Sequence, residues 1–328
     1  MVNLSYNPLL KTDKPGMWMY QKMISDIDLP VSYLGEGKTP LVGRKLGNYH
    51  FFAKLESLNP SGSFKDRNAA ILTSFLRKLQ ITTVVEDSSG NAGAALAFYS
   101  SAFGIRSRIF VPENTSGPKI HQIQKCGAEV VYVSGLRINA QKAAIDALNK
   151  RNTVYASHAA LPFGMGAYST IAFEIFEQLG QLPGKVYCPI GHGSLFFGIL
   201  AGFDAISRYL GKPRPAMIGA QPEVCAPLVA EWEGNKFDYQ GAASLAEGTL
   251  IPNPIRRDEI LKTLISGFDN LIRVSEDEIA KAHFELLQGG LYVEPTSAMV
   301  FAALKQFPHR NENLDVLVFS GNGLKSID

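Results

Sequence analysis

The sequence predicts an α/β protein built on parallel or mixed sheets, and three observations carry that prediction. Short apolar runs rich in Val, Ile and Phe alternate with longer helix-forming segments, the pattern of βαβ units. Polar glycine loops follow several of the strands. The chain has 328 residues with 46% hydrophobic content, enough for a large core and two subdomains.

Taken in order, FFAKLESL reads as a short strand ahead of a Gly/Ser loop. Thr82 to Glu86 (TTVVE) is the next strand, and Asn91 to Phe103 is an alanine-rich helix ending at Gly104. Ser107 to Pro112 (SRIFVP) is a strand, followed by a helix to Cys126 that stops at Gly127, since glycine readily takes the left-handed backbone at a helix end. EVVYV (Glu129 to Val133), the helix NAQKAAIDALNKR and the strand TVYAS complete this set. After a loop from Pro162 to Gly166, TIAFEIFEQLG is an amphipathic helix, KVYCPI a buried strand and LFFGILAGFDAISRYLG a helix opening from a glycine loop. These imply a second sheet. In SEDEIAKAHFELLQGG, Ser275 and Glu278 have capping-box spacing. DVLVFSGNG closes the chain as a last strand and loop.

Composition excludes several classes. A formal charge of +2, from 32 basic and 30 acidic residues, gives no basic field of the kind that binds nucleic acid. Cys126, Cys188 and Cys225 are far apart, odd in number and without CxxC pairing, so neither a disulfide framework nor a zinc site is implied. The N-terminal stretch has no apolar signal core, and no apolar run is long enough to span a bilayer. A cytoplasmic protein acting on a small molecule is expected, with no nucleic acid, membrane or metal partner. Met17, Trp18, Met19 and Tyr20 form an apolar cluster suited either to a partner subunit or to the chain's own core.

The chemistry begins at SGSFKDRN, Ser61 to Asn68. A lysine amine can form a Schiff base with an aldehyde if burial or cationic neighbours leave part of it neutral, and Arg67 is placed to help. Taken alone, Lys65 in such a loop reads first as part of a solvated turn. Its company changes that. GHGSLFFG (Gly191 to Gly198) offers backbone N–H groups and a helix start to an anion, most naturally phosphate, although its glycines also suit a tight turn. His192 adds little to it. No Gly-Lys-Ser/Thr follows, and the dinucleotide fingerprint lacks its third glycine, so nucleotide binding is disfavoured. SSGNAG (Ser88 to Gly93) suits a carboxylate, or plain N-capping. SGNG (Ser320 to Gly323) supplies a neutral hydroxyl. In open α/β sheets ligands bind beyond the carboxyl ends of strands, where all these loops fall.

Together, GEGKTPL, SGSFKDRN, SSGNAGAALA, YSTIAFEIFEQL, GHGS, LAEGTLIPNP, LYVEPTSA and VFSGNGLK stand in an order and spacing that resemble the pyridoxal-phosphate enzymes of the tryptophan synthase β fold (fold type II), with threonine synthase the nearest in pattern. The resemblance runs from about Gly35 to Lys325. It implies two α/β lobes with pyridoxal 5'-phosphate between them, the smaller over residues 68–158 and the larger from 1–67 with 159–328. It also implies a homodimer, and because SSGNAG lies on the small lobe, closure of that lobe over substrate is expected.

Residue by residue, the resemblance implies that Lys65 carries the cofactor and then moves protons at the substrate. Phe64 would lie against the cofactor ring and Asn91 would hold its 3'-oxygen. Ser88, Ser89, Asn91 and Ala92 would hold the substrate carboxylate. Gly191, His192, Gly193, Ser194 and Leu195 would bind the cofactor phosphate. Ser320 would meet the pyridine nitrogen as a neutral hydroxyl, which weakens the electron sink and favours elimination and replacement over transamination. Glu247 and Glu294 match positions lining the site, with a helix-start role for Glu294 as the alternative.

One segment departs from the pattern. Where threonine synthases present a run like NPFRLEGQKT, this chain has LPFGMGAYST, so Leu161, Gly164 and Ser169 replace groups expected to meet a substrate phosphate. Tyr168 and Ser169 then suggest a less charged pocket, unless Lys119, Arg137 or His158 replaces the missing charge. Three functions follow. One is threonine synthase-like conversion of O-phosphohomoserine and water to threonine and phosphate. The second is β-elimination or β-replacement on serine, threonine or an O-activated serine. The third is a non-catalytic binding protein on the same fold.

Overall fold

The computed structural model describes residues 4–135, 137–149, 152–158, 161, 163–308 and 314–326. A short helix α1 (Gln21–Ile24) precedes a hairpin of β1 (Leu41–Leu46) and β2 (Tyr49–Lys54). Then come α2 (Lys65–Lys78), β3 (Thr83–Glu86), α3 (Asn91–Ala102), β4 (Arg106–Pro112), α4 (Pro118–Lys125), β5 (Glu129–Val133), α5 (Arg137–Asp146) and β6 (Thr153–Tyr155). The second half holds α6 (Phe163–Leu179), β7 (Lys185–Pro189), α7 (Ser194–Leu210), β8 (Ala216–Pro222), α8 (Pro227–Trp232), α9 (Arg257–Thr263), β9 (Asn270–Val274), α10 (Glu276–Gln288), α11 (Pro295–Gln306) and β10 (Asp315–Val318).

These strands form two sheets. The larger has the order β1-β2-β10-β7-β8-β9, parallel except for the β1–β2 hairpin, and the smaller is β5-β4-β3-β6, parallel throughout. Side chains alternate across each strand, so both faces of a central strand can be apolar. Val186, Cys188, Val316 and Val318 pack with α6 and α7, whereas Tyr187, Leu317 and Phe319 face α10 and α11. The small sheet repeats this on a lesser scale: Val84, Ile109 and Val111 pack with α2, α3 and α4, while Val85 and Phe110 face α5.

Most expected elements stand within a residue or two of their reading, and the capping box of Ser275 and Glu278 is formed. The expected loop from Pro162 to Gly166 is corrected: helix α6 runs from Phe163, and Pro162 lies outside the described residues. Its glycines serve packing rather than a turn, since a Cβ at Gly166 would press on the Ile24 carbonyl at 3.3 Å and one at Gly164 on the Tyr168 ring at 3.2 Å. In FFAKLESL the strand ends at Lys54, and Glu56–Leu58 is a 3-10 turn. The NAQKAAIDALNKR helix begins earlier, at Arg137, and passes into a 3-10 turn after Asp146, with Lys150 and Arg151 outside the described residues. Met17, Trp18 and Tyr20 are buried in the chain's own core, which corrects the partner-subunit alternative.

Candidate active site

Lys65 opens α2, and the loop before it is tied down on both sides. The Asp66 carboxylate accepts the Ser61 backbone N–H at 2.6 Å and the Ser61 hydroxyl, while Phe64 N–H donates to the Ser320 carbonyl at 3.0 Å. Ser63 bridges Gly321. The start of α2 is thereby fixed to the loop after β10, although the two lie far apart in sequence. Around Lys65 opens a cleft of about 890 Å³, within the range of small-molecule and cofactor sites. Its lining includes Phe64, Ser88, Ser89, Asn91, Ala92, Gly191, His192, Gly193, Ser194, Leu195, Glu247, Glu294 and Ser320.

The electrostatics single out Lys65. Burial lowers its amine from the ordinary lysine value to about 8; Glu86 and Glu294 oppose that fall and Arg137 adds to it. Arg67, expected to help, does not face the cleft. Its guanidinium is fully buried on the other side of α2, bonded to Glu56 and Glu174 at 2.7 Å each. The cation acting on Lys65 is Arg137, at the start of α5.

Two histidines complete this side. His158 Nδ1 pairs with Glu86 Oε1 at 3.0 Å, and its ring stands edge-on to His192 with centroids 5.9 Å apart. Burial, Lys65 and Arg137 hold the His158 imidazole well below its usual value, and burial, His158 and Lys65 bring His192 to about 3. Both rings are neutral near pH 7.

The residues fit a phosphate-bearing pyridine. Gly193 takes φ +93°, and a Cβ there would come within 2.4 Å of Ile260 Cδ1; one at Gly191 would come within 2.9 Å of the Gly248 carbonyl oxygen. The loop can follow this path only with glycine, and it ends at the first turn of α7, whose N–H groups lack intrahelical partners. Two buried polar atoms in the lining, Asn91 Oδ1 and His192 Nδ1, have no protein partner. Asn91 Nδ2 donates to both Glu294 oxygens at 3.1 Å, which joins the loop after β3 to the start of α11. The Glu294 side chain makes this bond rather than capping its helix. Ser320 is buried and shares a hydrogen bond with Ser297 Oγ at 3.1 Å.

Tyr168 and Ser169 were expected in the substrate pocket, and the structure corrects this. Both are fully buried in α6 and neither lines the cleft: Ser169 Oγ donates to the Gly166 carbonyl at 2.7 Å, and the Tyr168 ring lies behind Phe64, with centroids 4.9 Å apart. The charge comes from elsewhere. Lys119, Arg137 and Lys325 line the cleft, and Lys119 lies 3.9 Å from Glu247 and 4.0 Å from Glu294; His158 lines it too but, as a neutral ring, adds no charge. Sequence reasoning missed the Glu86–His158 pair and Lys325; the adjacent EDSS acidic pair beside a strand end was the available signal.

The sequence profile described as "Pyridoxal-phosphate dependent enzyme" matches residues 33–321. The chain is similar to the threonine synthase of Methanocaldococcus jannaschii, 30% identical over 337 residues that cover 97% of this chain and 83% of the relative. It is also similar to an L-threonine ammonia-lyase of Geobacter sulfurreducens, 30% identical over 79% of this chain and 63% of that one. Among solved structures, a T.th. threonine deaminase superposes with a TM-score of 0.73 at 24% identity, covering 87% of this chain and 92% of its own. The O-acetylserine dependent cystathionine beta-synthase of Helicobacter pylori gives 0.72 at 25% identity, covering 88% and 93%. A profile match over most of the chain, on a fold whose glycine loops converge on one partly neutral lysine, makes the chain a member of the pyridoxal-phosphate dependent enzyme family.

Proposed function

We propose that this enzyme eliminates a leaving group from the γ-carbon of an α-amino acid and adds water at the β-carbon, the threonine synthase-like conversion of O-phosphohomoserine and water to threonine and phosphate. The observation that carries this reading is the gathering of Lys119, Arg137 and Lys325 in the same cleft as Lys65. A side chain at position 164 would run into Tyr168, so the cations lost from α6 are replaced from α4, α5 and the chain end. Charge-assisted bonds of this type favour a substrate with a second anionic group.

Pyridoxal phosphate, when bound, supplies the electron sink that weakens the bonds at the substrate α-carbon. The chain's residues do the rest. With its amine near 8, Lys65 is neutral in about one molecule in ten at pH 7, against roughly one in three thousand for an ordinary lysine. That neutral fraction holds the cofactor and takes the α-proton. Ser88 and Ser89, with the first N–H groups of α3, orient the substrate carboxylate. The glycine loop, with Ser194 and the Leu195 backbone, would hold the cofactor phosphate, and Phe64 would lie against its ring. The Ser320 hydroxyl would meet the pyridine nitrogen without donating a full proton. On this reading the lobes are 68–158 and the remainder, the small lobe closes over substrate, and the working unit is a homodimer.

The second reading, β-elimination or β-replacement on serine, threonine or an O-activated serine, is favoured by the absence of a cation at Leu161, Gly164 and Ser169. Product analysis separates the two. The enzyme loaded with pyridoxal phosphate is incubated with phosphohomoserine, threonine, serine and O-acetylserine in turn. Phosphate and threonine from phosphohomoserine are expected; ammonia from threonine or serine, with phosphohomoserine left intact, would overturn the first reading in favour of the second.

A further inference from the structure

Behind Lys65 lies a second, much smaller cavity of about 10 Å³, room for about one water molecule. Lys65, Asn68, Ala69 and Leu72 line it from one face of α2, the i, i+3, i+4, i+7 stripe of a helix. Glu86, the last residue of β3, and His158, in the turn three residues past the adjacent parallel strand β6, also line it. Its remaining wall, Ala92, Leu96 and Ala156, is apolar.

Two features of this cavity have no use in the fold. The Asn68 Oδ1 atom is buried without a partner, and an unmet buried acceptor costs on the order of 1–3 kcal/mol. Glu86 is buried at 1% exposure and, among the described residues, has no cation bonded to it; it accepts the His158 backbone N–H at 3.3 Å and pairs with the ring Nδ1 at 3.0 Å. Those bonds fix its orientation without neutralising it.

We propose that this cavity binds one water linking Lys65, Asn68 and Glu86, and that Glu86, held in place by His158, is the positioning residue that stores the proton Lys65 gives up. The inference rests on Lys65 being the cofactor lysine. The step balances: an N–H bond of the Lys65 ammonium breaks, its proton passes to the water, and a water proton forms an O–H bond on Glu86. Ammonium and carboxylate become amine and carboxylic acid, with no change in net charge, and the reverse transfer returns the proton.

The other groups facing the pair set its balance. Asp87 lies beside Glu86 and accepts the Tyr155 hydroxyl at 2.6 Å; burial and Asp87 hold the Glu86 carboxyl well above its usual range, as a proton store requires. Arg137 from α5, Glu294 from the start of α11 and His192 from the glycine loop act across the cleft, while α3 contributes only apolar residues to the cavity.

The test reads the Lys65 amine itself. In the cofactor-free protein, carbamoylation of Lys65 by cyanate is followed against pH by mass spectrometry, for the unmutated chain, Glu86→Gln, Glu86→Asp and Asn68→Leu. Removing the carboxylate is expected to lower the Lys65 midpoint by about one pH unit, and Glu86→Asp to recover part of that shift. Asn68→Leu, which fills the cavity with hydrocarbon and removes the unmet acceptor, is expected to lower it too, and it decides the matter if Glu86→Gln does not fold. Midpoints equal to that of the unmutated chain would overturn the relay. A visible band with pyridoxal phosphate in the unmutated protein checks the underlying reading separately: its absence would overturn both.

Discussion

Lys65 and Arg67 stand two residues apart on one helix and have opposite electrostatic fates. Burial works against the Arg67 guanidinium, but Glu174 and Glu56 outweigh it and lift its pKa well above the ordinary value. Lys54 joins the same cluster, its Nζ bonded to Glu174 at 2.7 Å, the Thr39 carbonyl at 2.8 Å and Gln178 at 3.0 Å. Arg67 and Lys54 hold the Glu174 carboxyl at about 2 despite its burial. Among the described contacts Lys65 is given no such partner, and its Nζ stands 4.8 Å from the centroid of the Phe64 ring. Arg67, bonded directly to two carboxylates, stays firmly charged; burial still lowers Lys54 in the same cluster, and it lowers Lys65 to about 8, where Glu86 and Glu294 act without a direct bond.

The largest effect is expected on the compensated side. Glu174→Ala leaves Arg67 with Glu56 and Lys54 with no bonded carboxylate among the described residues, and should destabilise the fold by about 3–5 kcal/mol, read from denaturant unfolding. On the uncompensated side, Lys65→Ala should reduce turnover by about 10²–10⁴-fold and abolish the visible cofactor band, while unfolding free energy changes by about 1 kcal/mol or less. If Lys65→Ala unfolds the protein as Glu174→Ala does, the contrast fails.

Smaller effects sharpen the contrast. Gly193→Ala forces a Cβ onto Ile260 at a left-handed backbone position and should cost about 1–2 kcal/mol of stability, with cofactor affinity falling alongside, both measured by thermal unfolding with and without cofactor. The pH dependence of stability has a definite sign. The folded Lys65 value lies below the unfolded one, so its penalty is fully present below about pH 8 and is relieved as pH rises toward 10.5. The cofactor-free protein should therefore gain stability over that window relative to Lys65→Met. Smallest is Arg137→Ala, which should raise the Lys65 midpoint by about a few tenths of a pH unit, because the guanidinium is exposed and screened.

The βαβ alternation and the convergence of the loops were legible because strands buried on both faces leave Val/Ile-rich runs and because tight approaches demand glycine. Gly164 and Gly166 misled for the same reason: glycine required by helix packing looks like glycine required by a turn. The direction of Arg67 was not legible, since its partner Glu174 lies 107 residues away. Nor was the inward turn of Tyr168 and Ser169, because an α6 face is buried or open only according to what α2 and α7 lay against it. His158 could be named from sequence, but Glu86, which fixes its ring, comes from a neighbouring parallel strand.

The most direct measurement is the pH midpoint of Lys65 modification in the cofactor-free, unmutated protein, followed at that residue by mass spectrometry. A midpoint near 8 is expected if burial without compensation makes the amine reactive. A midpoint near the ordinary lysine value would mean that the Lys65 ammonium is compensated as the Arg67 guanidinium is, and would contradict the division of charge across α2.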